Sequence, residues 1–386
     1  MNQRLIDPPR STSFQVLEVS RPLSQRSPFP RDLEQAKKEQ RGTSASALAV
    51  AAEATAAAQH VPVLDAWRGT ALVLLFVGHF APIHRWDCGA LGVEFFFVLS
   101  GFLMGRILFV KQTSLKTFYQ RRISRIIPAA YVFLVAMLGW QMLVAREVAP
   151  SLASISACFL FYVNYFLASN PGVELGLPAA HFWSLCVEEH CYVYLSLLSV
   201  FHRKLRIPPL WLIGGSILLC FASAQMAGSE TNWDPYQVYW RSDCRAASIL
   251  LGAASACLVS LEVGSRKSYF GVPTIGWGVL AVCWAMYFRL HSMPEFTKYT
   301  AGTGLLAIGL LLITQHAKGK LWAFPPLVWI GTASFSLYLW QQPFYIAVRK
   351  GHMTTGYAVV AAIFTGLISY FLIEKPARNW INRCWN

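Results

Sequence analysis

Apolar runs long enough to cross a bilayer as helices recur along most of this chain. They lie at about 64–83, 90–110, 126–145, 151–168, 183–201, 209–227, 244–261, 271–288, 299–315, 332–349 and 353–373. A crossing helix needs about 20 such residues. Inside a bilayer every backbone polar group must be satisfied by the spanning structure itself, so only helices and closed barrels qualify. The alternating pattern of barrel strands is absent. The predicted fold is all-α, a polytopic transmembrane helical bundle. A charged fraction of 13% agrees, since a soluble domain carries about 25%.

Basic residues set the expected orientation, because cytoplasmic loops are enriched in them. Clusters fall at 111–125, 203–206, Arg266/Lys267, Lys318/Lys320 and Arg378/Arg383. All can be cytoplasmic if one of the three runs between 126 and 201 does not cross. That gives about ten spans with both termini cytoplasmic. Residues 1–60 differ in kind: a Pro-, Ser- and Gln-rich basic stretch and then an alanine-rich piece, read as a disordered cytoplasmic tail before a membrane domain at 61–386. The formal charge of +14 belongs to this tail and to short connections, where lipid headgroups account for it, so no nucleic-acid partner is expected. The nine cysteines fall mostly in apolar runs and show no metal-ligand spacing, so no metal is expected.

Several apolar runs carry ionisable groups, which are expensive in a bilayer and usually face a cavity or a partner. Arg68 and His79 are 11 residues apart in the first run. That spacing places them on one helix face, about 16 Å apart along the axis. They form either a polar path into the membrane or an anchor plus a core histidine. Glu94 lies near the outer end of the second run. It either pairs or titrates with His79 across the hairpin, or lies shallow and reaches headgroup water. Gly92, Gly101 and Gly105 in the same run suit close helix packing.

Arg122 and Arg125 sit in a basic cytoplasmic connection. If it is helical they share a face, and guanidinium forks match phosphate oxygens. The alternative is an orientation signal. In HFWSLCVEEHCYVYLSLL, His181, Ser184 and Glu188 share a side and Tyr192 follows Glu188 at i+4. Such a set can supply a base, a positioning group and an oxyanion contact, or a polar helix seam. In the run WIGTASFSLYLWQQPFYIAV, Ser334, Ser336, Tyr338, Gln341 and Gln342 can meet sugar hydroxyls, with Trp340 as a stacking face, or bond between helices. Glu374, Lys375 and Arg378 read as a salt-bridged cap at the membrane edge.

Taken together, these segments resemble the acyltransferase 3 family of integral-membrane acyltransferases. LDAWRGTALVLLFVGHF is similar to its opening arginine–histidine motif and GALGVEFFFVLSGFL to its second-span signature. FYQRRISRIIPAAY resembles its arginine-rich loop, HFWSLCVEEHCY its Trp-Ser-Leu…Glu-Glu motif, SFSLYLWQQPF its late-span motif and IEKPARNW its Glu-x-Pro end. The likeness runs in order through about 62–380. It implies acyl-coenzyme A, by default acetyl-coenzyme A, as cytoplasmic donor and a carbohydrate hydroxyl as acceptor. It also implies prominent roles for Arg68, His79, Glu94, Arg122, Arg125 and Glu188. The chain departs from the pattern at Gln341, where many relatives have histidine, and at His190-Cys191, where Gln-Phe is more usual. No esterase-like domain follows the spans, so a stand-alone transferase is expected.

The expectation is an inner-membrane O-acyltransferase, most simply an O-acetyltransferase acting on a surface polysaccharide or glycolipid. Arg122 and Arg125 would hold donor phosphates and Arg68 would guide the donor inward. His79 would act as base or acyl carrier, oriented by Glu94 or Glu188, while His181, Ser184, Trp340 and Gln341 would contact substrate. The rival expectation is a transporter or flippase that uses the same buried groups as a proton or substrate path.

Overall fold

The computed structural model describes residues 62–83, 87–145, 148–230, 238–261, 271–289, 302–316 and 324–385. The tail at 1–60 and the Arg266/Lys267 and Lys318/Lys320 clusters lie outside them. The described residues form helices and no strands. In chain order these are α1 (Pro62–Phe80), α2 (Cys88–Gly105), α3 (Leu115–Trp140), α4 (Leu152–Phe159), α5 (Val163–Ser169), α6 (Phe182–Leu205) and α7 (Pro209–Glu230). Then follow α8 (Ser242–Leu261), α9 (Gly271–Arg289), α10 (Thr303–His316), α11 (Pro325–Thr332), α12 (Ser334–Arg349), α13 (Thr355–Ser369) and α14 (Lys375–Cys384).

Five described helical segments are long and apolar enough to cross a membrane: Pro62–Phe80, Cys88–Val110, Leu115–Val144, Pro209–Ser229 and Thr355–Cys384. The protein is a multi-pass membrane protein. The run at 151–168 is broken. It forms α4 and α5, which rise only about 12 Å and about 10 Å at the α-helical pitch, far short of a bilayer. The break falls at Phe161, whose φ of 56° is left-handed.

Close helix packing follows the glycines. A Cβ at Gly92 would run into the Ala71 carbonyl, so α2 can lie against α1 only with glycine there. At Gly101 it would fall on the Ile249 carbonyl of α8. The same helix is thus gripped on one side by α1 and on another by α8. The main core gathers large side chains of α2, α3, α6 and α8, among them Phe97, Phe133, Phe182, Tyr192 and Ile249.

One expectation about local structure changes. The basic stretch before the third apolar run is not a separate connection. Ser114 caps α3 by accepting from the Thr117 N–H at 3.2 Å, and the helix runs unbroken from Leu115 into the apolar run. Arg122 and Arg125 therefore ride on the same rigid helix as the span.

Candidate active site

A cavity of about 80 Å³ opens between α1, α2, α3, α6 and α12. Arg68, Arg122, Arg125, Ser184, Glu188, Tyr192, Ser334 and Tyr338 all line it, so eight of the residues singled out in the sequence share one site. Arg68 comes from the second turn of α1 and is held by Asp65, three residues earlier, at 2.9 Å. Arg122 stands 5.0 Å above the Tyr192 ring. Tyr192 donates to Glu188 at 3.0 Å, one turn back on α6, and shares a 2.6 Å hydroxyl hydrogen bond with Ser100 of α2. Among the described residues, neither Arg122 nor Arg125 has a carboxylate within ion-pair distance. Two guanidiniums thus face a cavity with their hydrogen-bonding forks unmatched by any described carboxylate.

His79 lies at the far end of α1 from Arg68. Its Nδ1 is 2.7 Å from Gln341 Oε1, and its ring stacks on Tyr345 at 4.3 Å. Gln341 in turn donates its amide N–H to Gln342 Oε1 at 3.3 Å, which turns its own carbonyl oxygen toward the imidazole. A carbonyl oxygen only accepts, so His79 Nδ1 carries the hydrogen. In the neutral ring Nε2 then holds the free lone pair. Gln341 is fully buried and serves His79 rather than a sugar hydroxyl.

Glu94 belongs elsewhere. It is fully buried, and it neither pairs with His79 nor reaches headgroup water. Its partner is Arg245 of α8. Its other carboxylate oxygen accepts from Ser248 at 2.7 Å and from Thr303 of α10 at 2.9 Å. The Arg245 guanidinium is boxed by Tyr239 (4.7 Å), Phe97 (5.5 Å) and Trp183 (5.9 Å). Glu94 is therefore a fastening between three helices, outside the cavity lining. Arg245 was not singled out in the sequence. An arginine inside the run at 244–261 was the available signal, because such a residue demands a counter-ion.

Three further expectations change. Trp340 packs edge-on against Phe133 at 5.4 Å within the core and does not line the cavity, so it offers no stacking face there. Glu374 is fully buried and accepts from Ser336 at 2.7 Å, so it is not part of a salt-bridged surface cap. His181 is also buried, behind the cavity wall. Its backbone carbonyl accepts from the Tyr338 hydroxyl at 2.8 Å, and Tyr338 and Ser184 share a 2.7 Å hydroxyl hydrogen bond at the cavity surface.

Residues 61–374 match a known family model, described as an acyltransferase domain of type 3. This chain belongs to the acyltransferase 3 family. It is 30% identical over 353 residues to a peptidoglycan O-acetyltransferase, OatA, of Listeria monocytogenes, covering 83% of this chain and 56% of that protein. It is 26% identical over 362 residues to the O-acetyltransferase OatA of Staphylococcus aureus, covering 83% of this chain and 57% of that protein. The chain thus spans a little over half the length of these curated relatives. No solved structure matches it.

Proposed function

We propose that this protein is an O-acetyltransferase that moves an acetyl group from acetyl-coenzyme A to a hydroxyl of a carbohydrate. The acceptor class is a surface polysaccharide or glycolipid, and the name of the Listeria relative favours peptidoglycan. The observation that carries the reading is the convergence of Arg68, Arg122 and Arg125 on one cavity together with Glu188. Arginine forks fit phosphate oxygens bidentately, and those of Arg122 and Arg125 face the cavity. At about 80 Å³ the cavity takes only a small group, given that one water occupies about 30 Å³ of the liquid. It suits a phosphate group of a donor whose extended arm carries the acyl group along α1 toward His79.

His79 supplies the base. Nε2 accepts the proton of the acceptor hydroxyl as its oxygen attacks the acetyl carbon, and the imidazolium returns that proton to the departing sulfur. Gln341 keeps Nδ1–H engaged, so Nε2 is the reacting nitrogen throughout. Arg68 and His79 lie on one face of α1 and link the two ends of the path. The membrane topology follows the same scheme. With α1, α2, α3, α6, α7, α8, α9, α10, the α11–α12 pair and α13 crossing, there are ten spans. Both termini and the arginine cavity are then cytoplasmic, His79 lies toward the opposite face, and the protein resides in the cytoplasmic membrane.

Membranes expressing the chain, supplied with radiolabelled acetyl-coenzyme A, test this against His79→Ala at matched abundance. Label is expected in a glycan or lipid fraction only when His79 is present. Equal label in both would remove His79 from the chemistry. No label with acetyl or longer acyl donors and added glycan acceptors would overturn the transferase reading in favour of transport.

A further inference from the structure

One wall of the arginine cavity is the start of a helix. The helical ladder breaks at Ala333, which lies outside both α11 and α12. It resumes where the Leu337 N–H donates to the Ala333 carbonyl at 3.1 Å. A helix start leaves its first N–H groups without partners inside the helix, and no side chain caps this one. The break sits beside the arginines: a Cβ at Gly331 would fall on the backbone carbonyl of Asp65, the residue that holds Arg68. The first two residues of α12, Ser334 and Phe335, line the cavity.

The Ser334 side chain adds a second, independent feature. The residue is 2% exposed, and among the described residues its hydroxyl makes no hydrogen bond. Its oxygen is nonetheless not sealed from the cavity. Serines elsewhere in these helices return the hydroxyl to a carbonyl of the preceding turn, as Ser196, Ser199 and Ser216 do at 2.8, 2.7 and 2.7 Å. Thr332, on the other side of the break, bonds back to Trp329 in the same way. Ser336, two residues on, donates to Glu374 at 2.7 Å. Ser334 does neither. Buried polar groups are rarely left unmet. An unmet hydroxyl in a cavity wall, at the positive end of a helix, calls for an anion from outside the chain.

The rest of the lining agrees. Three guanidiniums, those of Arg68, Arg122 and Arg125, stand against one carboxylate among the described lining residues, that of Glu188, so the cavity is cationic. We propose that Ser334 and the first turn of α12 complete a phosphate subsite with Arg122 and Arg125. One oxygen of a donor phosphate accepts the Ser334 O–H, and the others accept from the arginine forks. The proposal rests on the acyltransferase reading above and adds a binding residue to it. Ser334 exchanges no proton and forms no bond to the acyl group, so its hydroxyl governs how tightly the donor is held and leaves the step at His79 alone.

The test is equilibrium binding of coenzyme A to the full-length protein purified in detergent, with inorganic pyrophosphate as competitor. Ser334→Ala removes only the hydroxyl. It is expected to weaken coenzyme A about tenfold, the lower end of what a hydrogen bond to a charged group supplies, with Tm level. Pyrophosphate should weaken by the same factor. In turnover with acetyl-coenzyme A and a glycan acceptor, KM for the donor should rise in step while kcat holds. Ser334→Asp sets an anion at the same point and should abolish competition by pyrophosphate. Where the Ala variant fails to accumulate, Ser334→Gly is read by the same criteria. Unchanged affinity in Ser334→Ala, with Arg122→Ala/Arg125→Ala still weakened, would overturn the proposal and leave the arginines as the donor site. So would a loss that coenzyme A shows and pyrophosphate does not, or a loss of Tm and affinity together. Coenzyme A that does not bind the unmodified protein would overturn both the proposal and the donor reading.

Discussion

Both oxygens of Glu94 are met, one by Arg245 and the other by Ser248 and Thr303, and aromatic rings enclose the guanidinium. Around Glu188 the arrangement is the reverse. Arg122 and Arg125 line a cavity, and among the described residues Glu188 accepts its hydrogen bond from a tyrosine hydroxyl on its own helix, with the arginines near it but none within ion-pair distance. The two sites use the same residue types in the same membrane domain. In the first, desolvated charges compensate one another and lock α2, α8 and α10 together. In the second, the arginines line a cavity, which the proposed function fills with the donor's phosphates. The sites also share a wall: Phe97 lines the cavity and touches Arg245, so the sealed site holds one side of the open one in place.

Neutralising one charge should therefore do different things at the two places. Arg245→Met leaves a buried carboxylate uncompensated and should cost about 3–5 kcal/mol, read as a fall in detergent Tm. The double variant Glu94→Leu/Arg245→Met should regain most of that loss, because a buried pair replaced as a unit is often nearly neutral. A single variant as stable as the parent would erase the distinction between the sites. Replacing Arg122 and Arg125 together by alanine should leave Tm nearly unchanged. It should raise KM for acetyl-coenzyme A by about 10- to 100-fold, as expected for losing charge-assisted hydrogen bonds worth about 1.5–3 kcal/mol. A large Tm loss there would make these arginines structural too. The smallest effect belongs to Gln341→Leu. Freed of its acceptor, His79 should lose orientation and kcat should fall about tenfold, within the range set by general base catalysis, with KM unmoved.

Much of the open site was legible in the sequence because it rests on local spacing. Arg68 and His79 share a face through an 11-residue interval. Arg122 and Arg125 do so through i, i+3, and Ser184 and Glu188 through one turn of α6. The sealed site was not legible, because Glu94 and Arg245 are 151 residues apart and only tertiary packing brings them together. A carboxylate in an apolar run announces that a partner exists without saying which. The late-span residues were misjudged for the same reason. Trp340, Gln341 and Glu374 are polar or aromatic groups that read as ligand contacts or a surface cap. In the fold they meet Phe133, His79 and Ser336. The break at Phe161 was foreshadowed only as a mismatch in charge topology, since the run at 151–168 is apolar on both sides of it.

The central claim is that the arginine cavity holds the phosphates of the donor. The direct measurement is equilibrium binding of coenzyme A to the detergent-purified protein and to the Arg122→Ala/Arg125→Ala variant at matched Tm. The account predicts saturable binding by the parent, weakened by salt, and at least tenfold weaker binding by the variant. Equal affinity in the two proteins would contradict it and would place the donor somewhere other than this cavity.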